Sequence, residues 1–188
     1  MDRPIRRLPE ILINRVAAGE VVERPAAVVK ELVENAIDAG AGDIRVSFQR
    51  AGKDFISVDD DGSGMGREDV PLALERHATS KIATSEDLNG IRSFGFRGEA
   101  LPSIASVARL VLRSRRRRDG LGTEIIVDDG VQISMREIVM SPGTAIRVEH
   151  LFQSVPARRK FLRTDQTEAN RIIETMRSFA LVFPEITF

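Results

Sequence analysis

Four side chains able to do chemistry share one stripe of the segment Glu31-Leu32-Val33-Glu34-Asn35-Ala36-Ile37-Asp38-Ala39-Gly40. Glu31, Glu34, Asn35 and Asp38 recur at i, i+3, i+4 and i+7, the spacing of one helix face. Val28, Val29, Leu32, Val33, Ala36 and Ile37 form the opposite, apolar stripe. An amphipathic helix with a solvated polar face accounts for that pattern in most proteins. Two details weaken the plain account here. The polar stripe is all carboxylate or amide, with no lysine partner at i+4, and such a face is unfavourable when exposed. Asn35 and Asp38 are also poor helix formers in a helix interior. In chemical terms, the amide oxygen of Asn35 can ligate magnesium, a hard cation that takes oxygen ligands. Glu31, one turn earlier, is placed to orient and deprotonate a water.

Two glycine-rich turns follow. Asp59-Asp60-Asp61-Gly62-Ser63-Gly64-Met65-Gly66 comes directly after a strand-like run, and its glycines let a ligand approach the backbone closely. A carboxylate beside them can accept a hydrogen bond from an exocyclic amine. An acidic surface turn or a calcium loop is the alternative, but the preceding strand argues against the helix-flanked calcium loop. Phe94-Gly95-Phe96-Arg97-Gly98-Glu99-Ala100-Leu101 sets two glycines just before a helix start, where free N–H groups favour an anion. A capped loop is the ordinary alternative. Between the turns lies His77-Ala78-Thr79-Ser80-Lys81-Ile82, whose hydroxyls and ammonium suit phosphate or ribose; His77 itself reads as structural. There is no G-x-x-x-x-G-K-[ST] loop, no dinucleotide fingerprint and no nucleophile elbow. The run Arg113-Ser114-Arg115-Arg116-Arg117-Arg118 reads as a solvated hairpin loop, with a phosphate-binding patch as the alternative.

The elements that must position these groups are legible from period and punctuation. Residues 11–22 read as a short helix. A second starts at Pro25, where the missing N–H costs nothing, runs to about Ala39 and is closed by Gly40. Residues 44–49 and 55–58 alternate as strands around a turn at 51–53. Residues 67–77 read as helical, and Thr84 with Asp87 offers a capping box. Residues 99–107 read as a helix with Pro102 in its first turn; strands follow at 110–113, 123–127, 131–137 and 144–148, and a closing helix at 166–181. The strands and helices do not alternate as βαβ units, which favours an α+β fold, a mixed sheet covered mainly on one face. The chain stops at Phe188 inside an apolar stretch, which reads as the edge of a fragment.

Length and composition narrow the class. The 188 residues, 42% hydrophobic, suffice for one sizeable core. Lys+Arg and Asp+Glu are both 28, so any nucleic-acid argument rests on local patches. Cysteine is absent, which removes disulfides, thiolate metal sites and a cysteine nucleophile. Two histidines make a histidine-rich metal site equally unsuitable. No apolar run approaches the roughly 20 residues that span a bilayer, and the first seven residues lack a secretory core. A soluble, cytoplasmic protein is expected.

Three ordered blocks coincide: an acidic helix with asparagine, a D-x-G-x-G turn and a G-x-x-G loop. Together they resemble the Bergerat nucleotide fold shared by gyrase, the ninety-kilodalton chaperones, histidine kinases and the MutL family of DNA mismatch repair proteins. The strings Ala17-Ala18-Gly19-Glu20-Val21-Val22 and Pro156-Ala157-Arg158-Arg159-Lys160-Phe161-Leu162, with 11–40, 77–82 and 95–101, are similar to MutL in particular. The resemblance covers nearly the whole chain. It implies a two-layer α/β sandwich over residues 1–188 that binds and hydrolyses ATP with Mg2+. Glu31 would be the general base, Asn35 the magnesium ligand and Asp60 the adenine partner. Ala39, Gly62, Gly64 and Met65 would line the base pocket, supported by Thr144. Thr79, Ser80, Lys81, Gly95, Phe96, Arg97, Gly98 and Leu101 would belong to the lid and phosphate cradle.

The same resemblance implies ATP-dependent N-terminal dimerisation, a mismatch-recognition protein and a downstream nuclease or helicase as partners, and DNA binding in the intact protein. It implies no membrane, and a cytoplasmic location that becomes nucleoid-associated on DNA. It also implies that the γ-phosphate lysine comes from a following transducer domain and that a C-terminal dimerisation region lies beyond this chain, so hydrolysis here would be weak. Asp61 stands where the family often has asparagine, which would add negative charge near the base pocket. Two other readings compete: a histidine-kinase ATP domain, which would lack the 17–22 and 156–162 strings, and an interaction module with a lapsed pocket, against which Glu31, Asn35, Asp60 and Gly98 stand.

Overall fold

The computed structural model describes residues 6, 9, 13, 18, 19, 21–82, 90 and 93–188. Most of the helix expected at 11–22, and the capping box at Thr84 and Asp87, lie outside them.

The apolar stripe of the acidic helix decides where it docks. Helix α1, Pro25–Asp38, buries Val28, Val29, Leu32, Val33 and Ala36 against a six-stranded sheet. Pro25 opens it, and Gly40, with φ of 72°, closes it. The Gly40 N–H donates to the Ile37 carbonyl at 2.9 Å, and the Ala41 N–H to the Ala36 carbonyl at 3.1 Å. That paired arrangement satisfies two otherwise orphaned carbonyls and needs the left-handed backbone that glycine adopts freely.

The strands are β1 (Ile44–Gln49), β2 (Phe55–Asp60), β3 (Arg109–Arg115), β4 (Gly122–Asp128), β5 (Val131–Ile138) and β6 (Gly143–Glu149), ordered β1-β2-β6-β3-β4-β5. Every named pair is antiparallel; the parallel contribution to this mixed sheet is a bridge between Asp43 and Thr187 at the β1 edge. Alternation selects the inner face. Ile56, Val58, Leu110, Leu112, Ile146 and Val148 are buried in one continuous core with α1. Arg45, Arg113 and Arg147 point the other way and stay exposed. The sheet is therefore covered on one face, as expected. The turn expected at 51–53 is a 3-10 turn over Arg50–Gly52, with Lys53 at its cap.

The helices differ more from expectation than the strands do. In place of a helix over 67–77 there is one turn, α2, Asp69–Leu72. Its continuation is drawn into tertiary contact instead: the His77 N–H donates to the Gly98 carbonyl at 3.2 Å, with His77 at φ of 64°. Helix α3, Ala100–Ala105, is shorter than the expected 99–107 and holds Pro102 in its first turn. Helix α4, Pro156–Phe161, falls in the arginine-rich string. Helix α5, Asp165–Val182, packs on α1, capped by Thr164, whose hydroxyl accepts from the Thr167 N–H at 3.3 Å. Among the described residues no helix is long and apolar enough to cross a membrane.

Candidate functional site

A cavity of about 1190 Å³ opens between α1, the end of β2 and the loops at 77–82 and 94–99. The polar stripe of α1 becomes its floor. Glu31, Asn35 and Asp38 all line it, while Glu34 does not. The reason is local: Lys30 lies four residues before Glu34 and pairs with it at 2.7 Å, so the expectation of an acidic stripe without a lysine partner fails at that position. Among the described residues Glu31 has no such partner of its own. Burial raises its pKa above the ordinary carboxylate value, Lys30 opposes this, Glu34 adds to it and Lys81 opposes it. A carboxylate whose proton affinity is raised by burial is better matched to general-base work at neutral pH.

Asp60 lies at the far end of the cavity, on the last residue of β2. Its Oδ1 accepts the Gly62 N–H at 2.9 Å. Burial pushes this carboxyl up to about 6, against the Gly62 and Thr144 amides, with Asp61 and Asp59 raising it further. Thr144 is the register partner of Asp60 on β6. Its hydroxyl lies 2.9 Å from that of Ser114, which also accepts the Met65 N–H at 2.8 Å and donates to the Gly143 carbonyl at 3.1 Å. Ser114 is fully buried, and sequence reasoning missed it by grouping it with the arginine run. The inward beat of Leu110, Leu112 and Ser114 along β3 was the signal that could have found it.

Gly64 and Met65 line this end of the cavity with Ala39 and Thr144, but Gly62 is not among the lining residues. A side chain at Gly62 would meet the Ala39 Cβ at 2.9 Å, so Gly62 serves as an amide donor packed against α1. Asp61 does not line the cavity, but its charge reaches the pocket, as expected, through its effect on Asp60. Its Oδ1 accepts the N–H groups of Gly42 at 2.7 Å and Asp43 at 2.9 Å, and the Asp43 and Gly42 amides hold its pKa below the usual value.

The opposite wall carries Thr79, Ser80, Lys81, Gly95, Phe96, Arg97, Gly98 and Leu101. Two loops meet there. Gly98 sits at φ of 62°, and a Cβ on it would fall 2.3 Å from the Ala78 carbonyl oxygen. The Lys81 N–H donates to the Thr79 hydroxyl at 3.1 Å, and the Arg97 guanidinium lies 5.6 Å from the Phe96 ring centre. The imidazole of His77 stands 3.6 Å from the Glu99 carboxylate at the rim. The arginine run also departs from expectation. Arg113–Arg115 belong to β3, and only 116–118 turn. Arg113 donates to Glu124 at 2.6 Å, Arg115 donates to the Asp119 carbonyl at 2.8 Å, and Arg116 pairs with Asp69 while lining the cavity. Arg117 and Arg118 are exposed.

Asn35 offers the cavity a hard oxygen, and that oxygen already faces a cation, the Lys81 ammonium at 2.9 Å. Among the described residues no cluster of three or more His, Cys, Asp or Glu could hold a metal alone. That donor set fits a magnesium ion that keeps waters and shares phosphate oxygens, rather than one held in an all-protein cage.

The fold and the cavity thus define a nucleotide-site ATPase architecture, and residues 23–158 match the model of the histidine kinase-, DNA gyrase B- and HSP90-like ATPases. The chain belongs to this ATPase family. Within it the similarity is to MutL. The DNA mismatch repair protein MutL of Opitutus terrae is 54% identical over 184 residues, which is 98% of this chain and 29% of that protein. That of Pelobacter propionicus is 53% identical over 188 residues, 100% of this chain and 31% of its own length. The Aquifex aeolicus MutL ATPase domain complexed with ADP superposes with a TM-score of 0.74 at 36% identity, covering 88% of this chain and 58% of that one. The chain spans about 30% of the length of the curated relatives it matches.

Proposed function

We propose that this chain is the ATP-binding and ATP-hydrolysing switch domain of a MutL-type DNA mismatch repair protein. The observation that carries the reading is the pairing of Glu31 and Asn35 on one face of α1 with Asp60 at the far end of the same cavity. Asp60 accepts from the adenine amine, and Gly64, Met65, Ala39 and Thr144 shape the base pocket around it. The loops carrying Thr79, Ser80, Lys81 and Gly95 to Gly98 receive the phosphates. Glu31 orients a water and takes its proton as the water oxygen bonds to the γ-phosphorus; the bond to the bridging oxygen breaks, releasing ADP and phosphate. Magnesium, held through Asn35, supplies positive charge to the phosphates when bound. In the whole protein, nucleotide binding would favour N-terminal dimerisation and pass a signal from a mismatch-recognition protein to a downstream nuclease or helicase on DNA, in the cytoplasm. A lysine from a following domain would complete the γ-phosphate site, so turnover in this chain alone would be slow.

The test is calorimetric titration of ATP and a non-hydrolysable analogue, with and without magnesium, into wild type, Asn35→Ala and Glu31→Ala. Binding that needs magnesium and Asn35 but survives Glu31→Ala is the expected result. Wild type that binds neither nucleotide, in this chain and in the full-length protein alike, would overturn the reading.

A further inference from the structure

In the sequence Asp38 is only one member of the acidic stripe, yet among the described residues it holds three hydrogen bonds from two remote segments. Its side chain is 10% exposed, and that of Lys81 is 21% exposed. The Asp38 Oδ2 receives the Lys81 ammonium at 2.5 Å and the Gly95 N–H at 3.4 Å, and its Oδ1 receives the Phe94 N–H at 3.1 Å. The same ammonium lies 2.9 Å from the Asn35 Oδ1. One carboxylate therefore grips two segments that are remote from α1 in sequence, at 81 and at 94–95. It also holds a positive charge against the one oxygen that the nucleotide reading gives to a metal. Two cations cannot share that oxygen at contact distance, because their repulsion in a partly buried site is weakly screened.

We infer that Asp38 is a positioning residue that parks the Lys81 ammonium on Asn35 and ties the Phe94–Gly95 turn to α1, so that a divalent cation reaching Asn35 must displace Lys81. This rests on the nucleotide reading for the identity of the displacing cation, but not for the grip itself. On displacement Lys81 is released from Asn35, while Asp38 retains the two amides of the turn. Lys81 thus balances the charge of Asp38 before a metal arrives and leaves when it does.

The grip is read without nucleotide, by amide hydrogen exchange of wild type, Asp38→Asn and Lys81→Met. Loss of a charge-assisted acceptor should speed exchange at Phe94 and Gly95 about tenfold or more in Asp38→Asn, with the α1 amides unchanged. Lys81→Met should leave both amides protected, because it removes the ammonium and keeps the carboxylate. Asp38→Glu should recover part of the protection. Displacement is read as the ratio of analogue affinity with magnesium to that without it. This ratio should rise several-fold in Lys81→Met, where the metal no longer competes with a resident cation. Unchanged exchange at Phe94 and Gly95 in folded Asp38→Asn, or an unchanged ratio in Lys81→Met, would overturn the inference. Wild type that binds no analogue would sink the nucleotide reading and the displacement step with it; the Asp38 grip stands or falls separately on the exchange data.

Discussion

At the scale of single residues, two carboxylates on one cavity are both pushed up by burial, and each supports its own prediction. Glu31 lies on the floor, and burial raises its proton affinity. Replacing it with alanine should reduce hydrolysis by about a hundredfold or more, the usual worth of a positioned base, while analogue affinity changes little. Phosphate-release kinetics beside calorimetry separate the two effects. Asp60 makes a prediction in pH. Its carboxyl has an ordinary value of 3.8 and is pushed up to about 6 in the folded chain. The folded state therefore prefers the neutral form, so this contribution to stability is fully present below 3.8 and is lost as pH rises to about 6. Melting temperature measured across that window should fall with rising pH on account of Asp60, and the Asp60→Asn variant should lose that component of the slope. Nucleotide binding moves the other way. The charged carboxylate is the stronger acceptor, so ATP affinity should weaken as pH drops below about 6 in wild type, and should stay weak at every pH in Asp60→Asn.

At the scale of elements, the junction of the two phosphate-side loops is the most exacting. Gly98 has φ of 62°, and a methyl group there would meet the Ala78 carbonyl oxygen at 2.3 Å. Gly98→Ala should therefore cost about 1–3 kcal/mol of local strain and push the 77–82 loop away from the 95–98 loop. Analogue affinity measured by calorimetry should fall about tenfold or more, with the far-UV spectrum of the helices and sheet unchanged. The same junction marks where local turns give way to tertiary contact. Ala73, Leu74 and Glu75 still donate to the carbonyls of Asp69, Pro71 and Leu72, whereas the His77 amide is taken by the Gly98 carbonyl, a partner from another part of the chain.

At the scale of the whole molecule, the sheet shows one face to the helices and the other to solvent. The arginine run straddles that divide: Arg113, Arg115 and Arg116 are committed to Glu124, Asp119 and Asp69. Arg117 and Arg118 are the exposed members at the turn. If the full-length protein binds DNA, charge reversal at these two should lower the slope of log affinity against log salt by about one for each phosphate no longer neutralised. An unchanged slope assigns the turn to solvent.

Period and punctuation determined most of the framework. Alternation located every strand to within two residues at each end, and Pro25 and Gly40 bounded α1, because these signals arise from backbone sterics and from which face must avoid water. The same local chemistry marked Glu31 and Asn35, whose types and spacing suit a water and a metal, while Asp60 was told apart from its acidic neighbours only by the family resemblance. What only the tertiary structure decided was which way individual polar side chains turn. Glu34 left the site for Lys30, Asp61 turned to the amides of Gly42 and Asp43, Gly62 became a donor behind the wall, and Ser114 and Asp38 became hubs. Each of those outcomes depends on a hydrogen-bond partner, and all but the Lys30 and Gly62 pairings come from parts of the chain 18 to 57 positions away. Local sequence carries no record of such partners, because a carboxylate or hydroxyl follows whichever donor the fold delivers.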